Sequence, residues 1–181
     1  MVKLLGISGS LRAGSYNSML VAEAARVFAP DEFSFADLRL PLYDGDLEAR
    51  GMPDAVVALC DQIRTADAIV ISTPEYNKNP SGVLKNALDW ASRPPDQALR
   101  GKPVALIGAT PGGFGTRSAQ FQIRQILGNP GCAVLAKPEL WVSGASEKFN
   151  EAGDLTDDDV RQELSDVLSA FRSWIVLTAQ S

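Results

Sequence analysis

Hydroxyl, amide and guanidinium side chains are concentrated in the nine-residue segment GSLRAGSYN, which directly follows the apolar run VKLLGIS. Gly9 and Gly14 in this segment are separated by four residues, as in a P-loop. A P-loop continues with a lysine for the outer phosphates and a Ser or Thr for Mg²⁺, whereas Ser15 and Tyr16 follow here. The segment therefore lacks the groups that an NTPase requires.

The same segment still suits a single phosphate group. The hydroxyls of Ser10 and Ser15 and the amide of Asn17 can join backbone N–H groups at a helix start around a dianion. Arg12 supplies a positive charge. Charge-assisted hydrogen bonds contribute about 1.5–3 kcal/mol each, so a few of them account for much of the roughly 8 kcal/mol of a micromolar ligand. The alternative is a Gly/Ser turn whose serine only caps the helix.

A second polar segment, STPEYNKNPSG at 72–82, follows the most apolar run of the chain. Its prolines, asparagines and glycine would form a turn in any case, which is the simplest interpretation of this segment alone. A solvent-exposed turn does not need Tyr76 in its middle, however. An aromatic side chain beside free backbone N–H groups can line the edge of a flat heteroaromatic ring.

A third segment, GATPGGFGTRSAQ at 108–120, contains four glycines within eight residues. Glycine allows a tight turn or the close approach of the backbone to a ligand. The segment is not a dinucleotide fingerprint, because Ser118 occupies the last glycine position of a pattern that begins at Gly113. Thr110 and the amides of Gly112 and Gly113 could instead complete a site for a flat ring.

The alternation of strand and helix patterns along the chain predicts where these three segments lie in the fold. Continuous apolar runs predict buried strands at 2–8, 33–38, 68–73 and 103–110, and a weaker strand near AVLAKPELWV is interrupted by Pro138. Helical spacing between them covers 18–28, 56–66, 82–92, 118–127 and 157–177. This order predicts one α/β domain over 1–181, a doubly wound parallel sheet of five strands with helices on both faces. Ligands of such sheets bind beyond the carboxyl ends of the strands, where all three segments would lie.

Composition excludes several other functions. A net charge of -5 disfavours nucleic acid, and no apolar stretch is long enough for a membrane span. The amino terminus leaves no room for a signal peptide, so we expect a cytoplasmic protein. Histidine is absent, and Cys60 and Cys132 form no cluster, which argues against His-based triads, zinc sites and disulfides. Both cysteines lie in apolar surroundings that favour packed core thiols.

The segments GSLRAGSYN, TPEYN, GVLKNALDWASRP and GATPGGFGTRSAQ together resemble the NAD(P)H-dependent FMN reductases of flavodoxin-like fold. This group includes bacterial chromate and quinone reductases and some azoreductases, and the resemblance covers about residues 3–130. For the FMN phosphate region it implies Ser10, Arg12, Ser15, Tyr16 and Asn17. For the isoalloxazine ring it implies Pro74, Glu75, Tyr76 and Asn77, with Thr110, Gly112 and Gly113 on the other side.

The resemblance also implies an activity and an assembly. Bound FMN would accept a hydride from NAD(P)H and reduce a quinone by a ping-pong mechanism, with chromate, ferric chelates or azo dyes as further acceptors. No catalytic side chain and no metal is implied. Members commonly form dimers, and a tetramer remains open. Arg93, at the end of the helix that follows PEYN, could contact the 2′-phosphate of NADPH or a partner subunit, although exposed helix-end arginines are common.

One departure from the family pattern concerns the second segment. The family often has a proline directly before the glycine of GVLKNA, whereas here Pro80 lies one place earlier and Ser81 precedes Gly82. Two other functions remain open at this point. A flavodoxin-type carrier would bind FMN and pass single electrons to a protein partner, which the negative charge would suit. A cofactor-free interaction module would retain the fold and bind no flavin.

Overall fold

A computed structural model describes residues 1–179 of the 181-residue chain. Its six strands form one sheet in the order β2-β1-β3-β4-β5, and β6 also pairs with β4. The strands are β1 (Lys3–Ser8), β2 (Glu32–Phe35), β3 (Ala68–Ser72), β4 (Pro103–Ala109), β5 (Ala133–Val134) and β6 (Leu140–Val142). All of the pairings are parallel. The predicted α/β flavodoxin-like architecture is therefore confirmed.

The connections of the sheet create a crevice between β1 and β3. The chain passes from β1 outward to β2 and then returns to β3 on the other side of β1. In register, Ser8 at the end of β1 faces Ser72 at the end of β3, so the loops that follow both strands begin at the same level. Such a reversal of strand order is where open α/β sheets bind their ligands.

The strand predicted near AVLAKPELWV is two short strands in the structure. β5 pairs with Pro103 and Val104 at the start of β4, and β6 pairs with the 107–109 stretch at its end. The chain leaves the sheet between them, around Pro138, which cannot donate a backbone N–H to a neighbouring strand. The sheet therefore has six strands instead of the predicted five, because β5 and β6 replace the single strand that was predicted there.

Helices cover both faces of the sheet, as the sequence predicts. The helices are α1 (Tyr16–Phe28), α2 (Gly45–Arg50), α3 (Asp54–Thr65), α4 (Gly82–Ala91), α5 (Arg117–Gly128) and α6 (Asp158–Thr178). The apolar cluster on one face joins β1, β3 and β4 to α1 and α6, where the rings of Phe28 and Phe171 lie 6.1 Å apart. A second cluster on the opposite face is formed with α3, α4 and α5. Among the described residues, no helix has both the length and the apolarity to cross a bilayer.

The short helix α2 was not expected from the sequence. It spans six residues, and none of them is buried, so it leaves no helical hydrophobic pattern to detect. Its start is marked by Asp44, whose carboxylate accepts a hydrogen bond from the backbone N–H of Asp46 at 2.9 Å. A capping residue without an apolar face is too weak a signal to predict a helix.

Both cysteines lie where their thiols are protected. Cys60 is buried, and the half-buried Cys132 donates from Sγ to the carbonyl oxygen of Leu99 at 3.2 Å. Burial raises the pKa of Cys60 and raises the pKa of Cys132 to about 11. At pH 8 the thiolate of Cys132 is therefore a minor species, on the order of one part in a thousand.

We expect Ellman's reagent at pH 8 to label the native protein about a hundredfold more slowly than the urea-unfolded chain, in which both thiols regain an ordinary pKa. The labelling rate of the native protein should rise as the pH approaches 11, because only then does Cys132 ionise. Stopped-flow absorbance measures both rates. Fast labelling of either cysteine in the native protein at pH 8 would show that the thiols are not protected.

Candidate functional site

The three polar segments meet in one cavity at the carboxyl ends of β1, β3 and β4. The first loop follows Ser8, the second follows Ser72 and the third follows Ala109. They enclose a volume of about 280 Å³. The lining residues are Ser10, Arg12, Ser15, Tyr16, Asn17, Pro74, Glu75, Tyr76, Ala109, Thr110 and Pro111. Parallel strands with aligned ends thus bring together segments that are far apart in sequence.

The cavity contains most of the residues that the sequence analysis singled out. Of the residues predicted to hold FMN, Asn77, Gly112 and Gly113 do not line it, and Ala109 and Pro111 line it without having been predicted. A larger cavity of about 610 Å³ opens at the amino edge of the sheet, between Val2 and the end of α6. It contains none of the predicted residues, and its Lys102 ammonium already donates to the carbonyl oxygens of Arg64 and Ala66.

The phosphate-binding end of the cavity is formed by the first loop and the start of α1. The Ser15 hydroxyl caps α1 by accepting hydrogen bonds from the N–H groups of Asn17 and Ser18 at 3.2 and 3.4 Å. The Ser10 hydroxyl accepts from the N–H of Arg12 at 3.4 Å. Within residues 1–179 neither hydroxyl donates its own proton, so both protons are available to an anion at the positive end of the helix.

Arg12 carries a positive charge that is not neutralised by a neighbour. Its guanidinium lies over the ring of Tyr16, 5.3 Å from the centroid, and Tyr16 in turn lies 5.7 Å from the ring of Phe149. In the described part of the chain, none of the ion pairs involves Arg12. The guanidinium is therefore available for an anionic ligand.

Asn17 is buried and holds the ends of two strands together. Its Oδ1 accepts from the hydroxyl of Ser72 at 2.9 Å and from the N–H of Ala109 at 3.0 Å. Its Nδ2 donates to the carbonyl oxygen of Ala109 at 2.9 Å. The amide that the sequence favours as a phosphate ligand thus makes three hydrogen bonds within the protein, and one amide hydrogen remains for a ligand. Asn17 positions the first loop against β3 and β4.

Glu75 connects the second loop to the third. Its Oε2 accepts from the backbone N–H of Ala119 at 3.0 Å, in the first turn of α5. Thr116, which precedes this helix, makes no side-chain capping bond, so Glu75 serves as the cap from another loop. Only about 10% of its side chain is exposed. The carboxylate predicted to border a flavin ring therefore also fixes the relative position of two walls of the cavity.

The second loop presents Tyr76 at the base of a tight hairpin. The backbone of Tyr76 and Asn79 exchanges two hydrogen bonds, of 2.9 and 3.0 Å, across the two-residue turn Asn77-Lys78. Both turn residues have positive φ, 52° and 67°, as a type I′ turn requires. Tyr76 is 57% exposed while lining the cavity, which leaves one face of its ring free to contact a ligand.

The third loop is fixed at Thr110 and has open space around Gly113. Thr110 is fixed by its N–H, which donates to Val142 at 2.9 Å, and its hydroxyl accepts from Gly112 at 3.3 Å. No atom lies within 4 Å of a Cβ built on Gly113. A Cβ on Gly108, in contrast, would lie 2.5 Å from the carbonyl oxygen of Thr73, so glycine there lets the second and third loops approach each other.

Arg93 lies outside this cavity. It follows α4, which starts beside the second loop and whose ten residues extend about 15 Å away from it. Its Nε donates to both carboxylate oxygens of Glu48 at 3.1 Å, and the hydroxyl of Tyr43 donates to the same carboxylate at 2.9 Å. These hydrogen bonds, that of Arg93 foremost, lower the pKa of Glu48. Within one subunit Arg93 does not reach the cavity, and its predicted contact with NADPH or a partner stays a prediction.

A parallel sheet with a crevice at the β1/β3 reversal, a phosphate-binding end and an aromatic end defines a flavodoxin-like mononucleotide-binding protein. The structure is similar to FerB, a flavoenzyme NAD(P)H:(acceptor) oxidoreductase from Paracoccus denitrificans, with a TM-score of 0.87, 35% identity and 97% of each chain covered. An NAD(P)H-dependent FMN reductase of Pseudomonas aeruginosa is 47% identical over 176 residues, 96% of this chain and 95% of the relative. A quinone reductase of Escherichia coli is 40% identical over 182 residues, at 96% and 95% coverage.

The sequence model of the NADPH-dependent FMN reductase family matches residues 2–147. The chain belongs to this family, and it is an FMN-dependent oxidoreductase that uses NAD(P)H. The donors found in the cavity fit FMN, because two free hydroxyl protons, a helix start and an unpaired guanidinium suit its phosphate. The enclosed 280 Å³ is near the lower limit of about 300 Å³ for ligand pockets, so it would enclose only part of a mononucleotide.

We expect Asn17→Ala to lower the free energy of unfolding by about 2–4 kcal/mol, because it leaves the buried hydroxyl of Ser72 and both backbone groups of Ala109 without partners. Ser72→Ala removes one of these bonds and should cost about 1 kcal/mol. Urea titrations followed by circular dichroism measure both values. A fully stable Asn17→Ala variant would show that the buried amide does not hold the strand ends together.

Proposed function

We propose that FMN binds in this cavity with its phosphate at the first loop and its ring beside Tyr76. The observation that carries the proposal is the convergence of free donors and an exposed aromatic ring in one cavity. Ser10, Ser15 and Arg12 would hold the phosphate at the start of α1. Tyr76, Gly112 and the open backbone of Gly113 would border the ring, with Asn77 at the adjacent hairpin tip. Pro74, Glu75 and Thr110 would complete that end.

The chemistry of the reaction belongs to the cofactor, which takes a hydride from NAD(P)H and passes the electrons to an acceptor. The residues of this chain bind and orient. Backbone N–H groups of the second and third loops can stabilise negative charge on a bound ring without moving. Glu75 is not a free base, because its carboxylate accepts from Ala119 and lies 3.8 Å from the ammonium of Lys78. No side-chain acid or base is needed, in agreement with a sequence that has no histidine.

Quinones are the acceptors that we propose, with chromate, ferric chelates and azo dyes as possible further ones. The E. coli relative, of which 95% is covered, is a quinone reductase. A quinone is flat and takes up two electrons, which suits an exposed ring such as that of Tyr76 at the open side of the cavity. We place the whole chain, as one FMN-binding domain, in the cytoplasm, where NAD(P)H is available.

We also propose that two copies of the chain form a dimer through the start of α4. An apolar groove of about 400 Å³ lies beside this helix. It is continuous with the first loop through Leu11, and Leu42 on its edge is 80% exposed. A second copy would remove this apolar surface from water next to the FMN cavity. The dimer is also what the family resemblance implies, with the helix after PEYN near the interface.

The absorption spectrum of the purified protein, reconstituted with FMN, tests the function. We expect the flavin band near 450 nm to bleach on anaerobic addition of NADPH or NADH and to return on addition of a quinone. A flavin that binds but stays oxidised would indicate a flavodoxin-type carrier instead, and a colourless protein that ignores FMN would contradict the cofactor site. Arg12→Ala should weaken FMN binding by about 1.5–3 kcal/mol. The matched change Arg100→Ala, at the amino edge of the sheet, should not.

The dimer is tested by the mass of the protein in solution. Leu42→Glu should convert dimers into folded monomers in light scattering, because it places a charge on the proposed contact while the side chain is exposed in one subunit. Val176→Glu makes the same kind of change on α6, at another exposed position, and should leave the mass unchanged. A wild-type mass of one chain would contradict the dimer, and a mass of four chains would indicate a second interface.

A further inference from the structure

A lysine occupies a backbone conformation that side chains rarely adopt. Lys78 has a φ of 67° at the second position of the Asn77-Lys78 turn, where a type I′ hairpin favours glycine. Pro80 follows this hairpin and lies two residues before Gly82. Glycine would form this turn with less strain, so folding alone does not explain the lysine.

The side chain of Lys78 contacts both the second and the third loop. Its Nζ lies 5.0 Å from the ring centroid of Phe114 in the third loop. The same atom is 3.8 Å from Oε1 of Glu75, a residue that lines the cavity, and this distance is too long for a hydrogen bond. The other oxygen of Glu75 is engaged by Ala119. Lys78 is 69% exposed and thus has an ammonium that can still pair with a stronger anionic partner.

Two exposed rings belong to the same two loops as this charge. Tyr76 is 57% exposed at the base of the hairpin, and Phe114 is 87% exposed on the facing loop. Among residues 1–179 neither ring contacts another aromatic ring. We call Tyr76, Lys78 and Phe114 the rim cluster. Large rings that remain exposed on loops around a cavity provide surfaces for a flat ligand, and the ammonium beside Phe114 adds a preference for negative charge.

We propose that the rim cluster makes this enzyme select quinone acceptors that carry an anionic group on the ring, with Lys78 as the specificity-determining residue. The inference rests on the proposed quinone reductase function and names the class of quinone. The whole chain carries a net charge of -5 and therefore repels anionic acceptors at long range. A cation at the rim offsets this repulsion where the acceptor docks, and neutral quinones gain nothing from it.

The spacing of the rim cluster suits an anionic group that lies directly beside an aromatic ring. The ammonium lies 5.0 Å from the centre of an aromatic ring, so a ligand held by both has its charge directly beside its own ring. A sulfonate, a carboxylate or an ionised hydroxyl on a quinone has this geometry. The 2′-phosphate of NADPH lies beside the adenine ring and has a similar geometry, so the ratio of NADPH to NADH activity in the Lys78 variants distinguishes the two anions.

Two quinones with the same ring system test the proposal. We expect kcat/KM for 1,4-naphthoquinone-2-sulfonate, relative to that for 2-methyl-1,4-naphthoquinone, to fall about fivefold in Lys78→Met and Lys78→Gly and to remain near wild type in Lys78→Arg. The wild-type preference should also weaken as salt is raised. Lys3→Met removes the same charge at the amino end of β1, beside Glu32. It should change neither the kcat/KM ratio of the two quinones nor the salt dependence of that ratio.

Binding of a compound that cannot be reduced gives a second measurement. Titration calorimetry of oxidised, FMN-loaded protein with naphthalene-2-sulfonate should show about fivefold weaker binding in Lys78→Met and Lys78→Gly, with no change in Lys3→Met. Lys78→Gly is decisive, because glycine accepts the positive φ, so the side chain and its charge are removed without straining the turn.

Three results would overturn the proposal. A defect in Lys78→Met that is absent in Lys78→Gly would assign the effect to the turn and not to the charge. An altered ratio of NADPH to NADH activity with an unchanged quinone ratio would assign the lysine to the nucleotide. If all variants have the wild-type kcat/KM ratio of the two quinones and still reduce the neutral quinone, the role of the rim cluster is rejected and the quinone reductase function is not. A wild-type protein that reduces neither quinone would instead reject the proposed function on which the inference rests.

Discussion

The buried amide of Asn17 is the interaction on which the cavity depends. From the first turn of α1 it bonds to the side chain of Ser72 and to both backbone groups of Ala109. Because an unpaired polar group in this dry position would cost more than the bond gains, the ends of β3 and β4 have one favourable arrangement around it. Two further links extend this arrangement, since the hydroxyl of Ser81 donates to Gly9 at 2.5 Å and Glu75 caps α5.

The polar residues of these loops divide into those that bond to the protein itself and those that are free to bind a ligand. Asn17, Ser81 and Glu75 use their polar atoms on the protein itself and are largely buried. Ser10 and Arg12 keep donors free because the backbone around them is already held in place. A site preorganised in this way loses little entropy when its ligand binds. The glycine at position 108 contributes by letting two loops approach, a contact that any side chain would prevent.

Most of the fold and part of the site could be predicted from the sequence. Continuous apolar runs located the central strands, because a strand covered on both faces has no polar side to interrupt it. The cavity followed, since parallel strands align the loops at their ends. The roles of single residues were less accessible: Asn17 in a polar loop has the same sequence pattern as a ligand and as a buried link. Helix α2 has no apolar face, and Glu75 caps a helix that starts 42 positions later.

The hairpin at Asn77-Lys78 is closed by hydrogen bonds among its own residues, between the backbones of Tyr76 and Asn79 and from the side chain of Asn79 to the carbonyl oxygen of Asn77. Substitutions at its tip therefore leave the hydrogen bonds of Asn17 and Ser81 in place, whereas substitutions at Asn17 disturb three chain segments at once. Mutational tolerance and chemical selectivity consequently reside at the same few exposed positions. Proteins that share this scaffold can therefore evolve different preferred oxidants through substitutions at this one turn, while the fold keeps its stability.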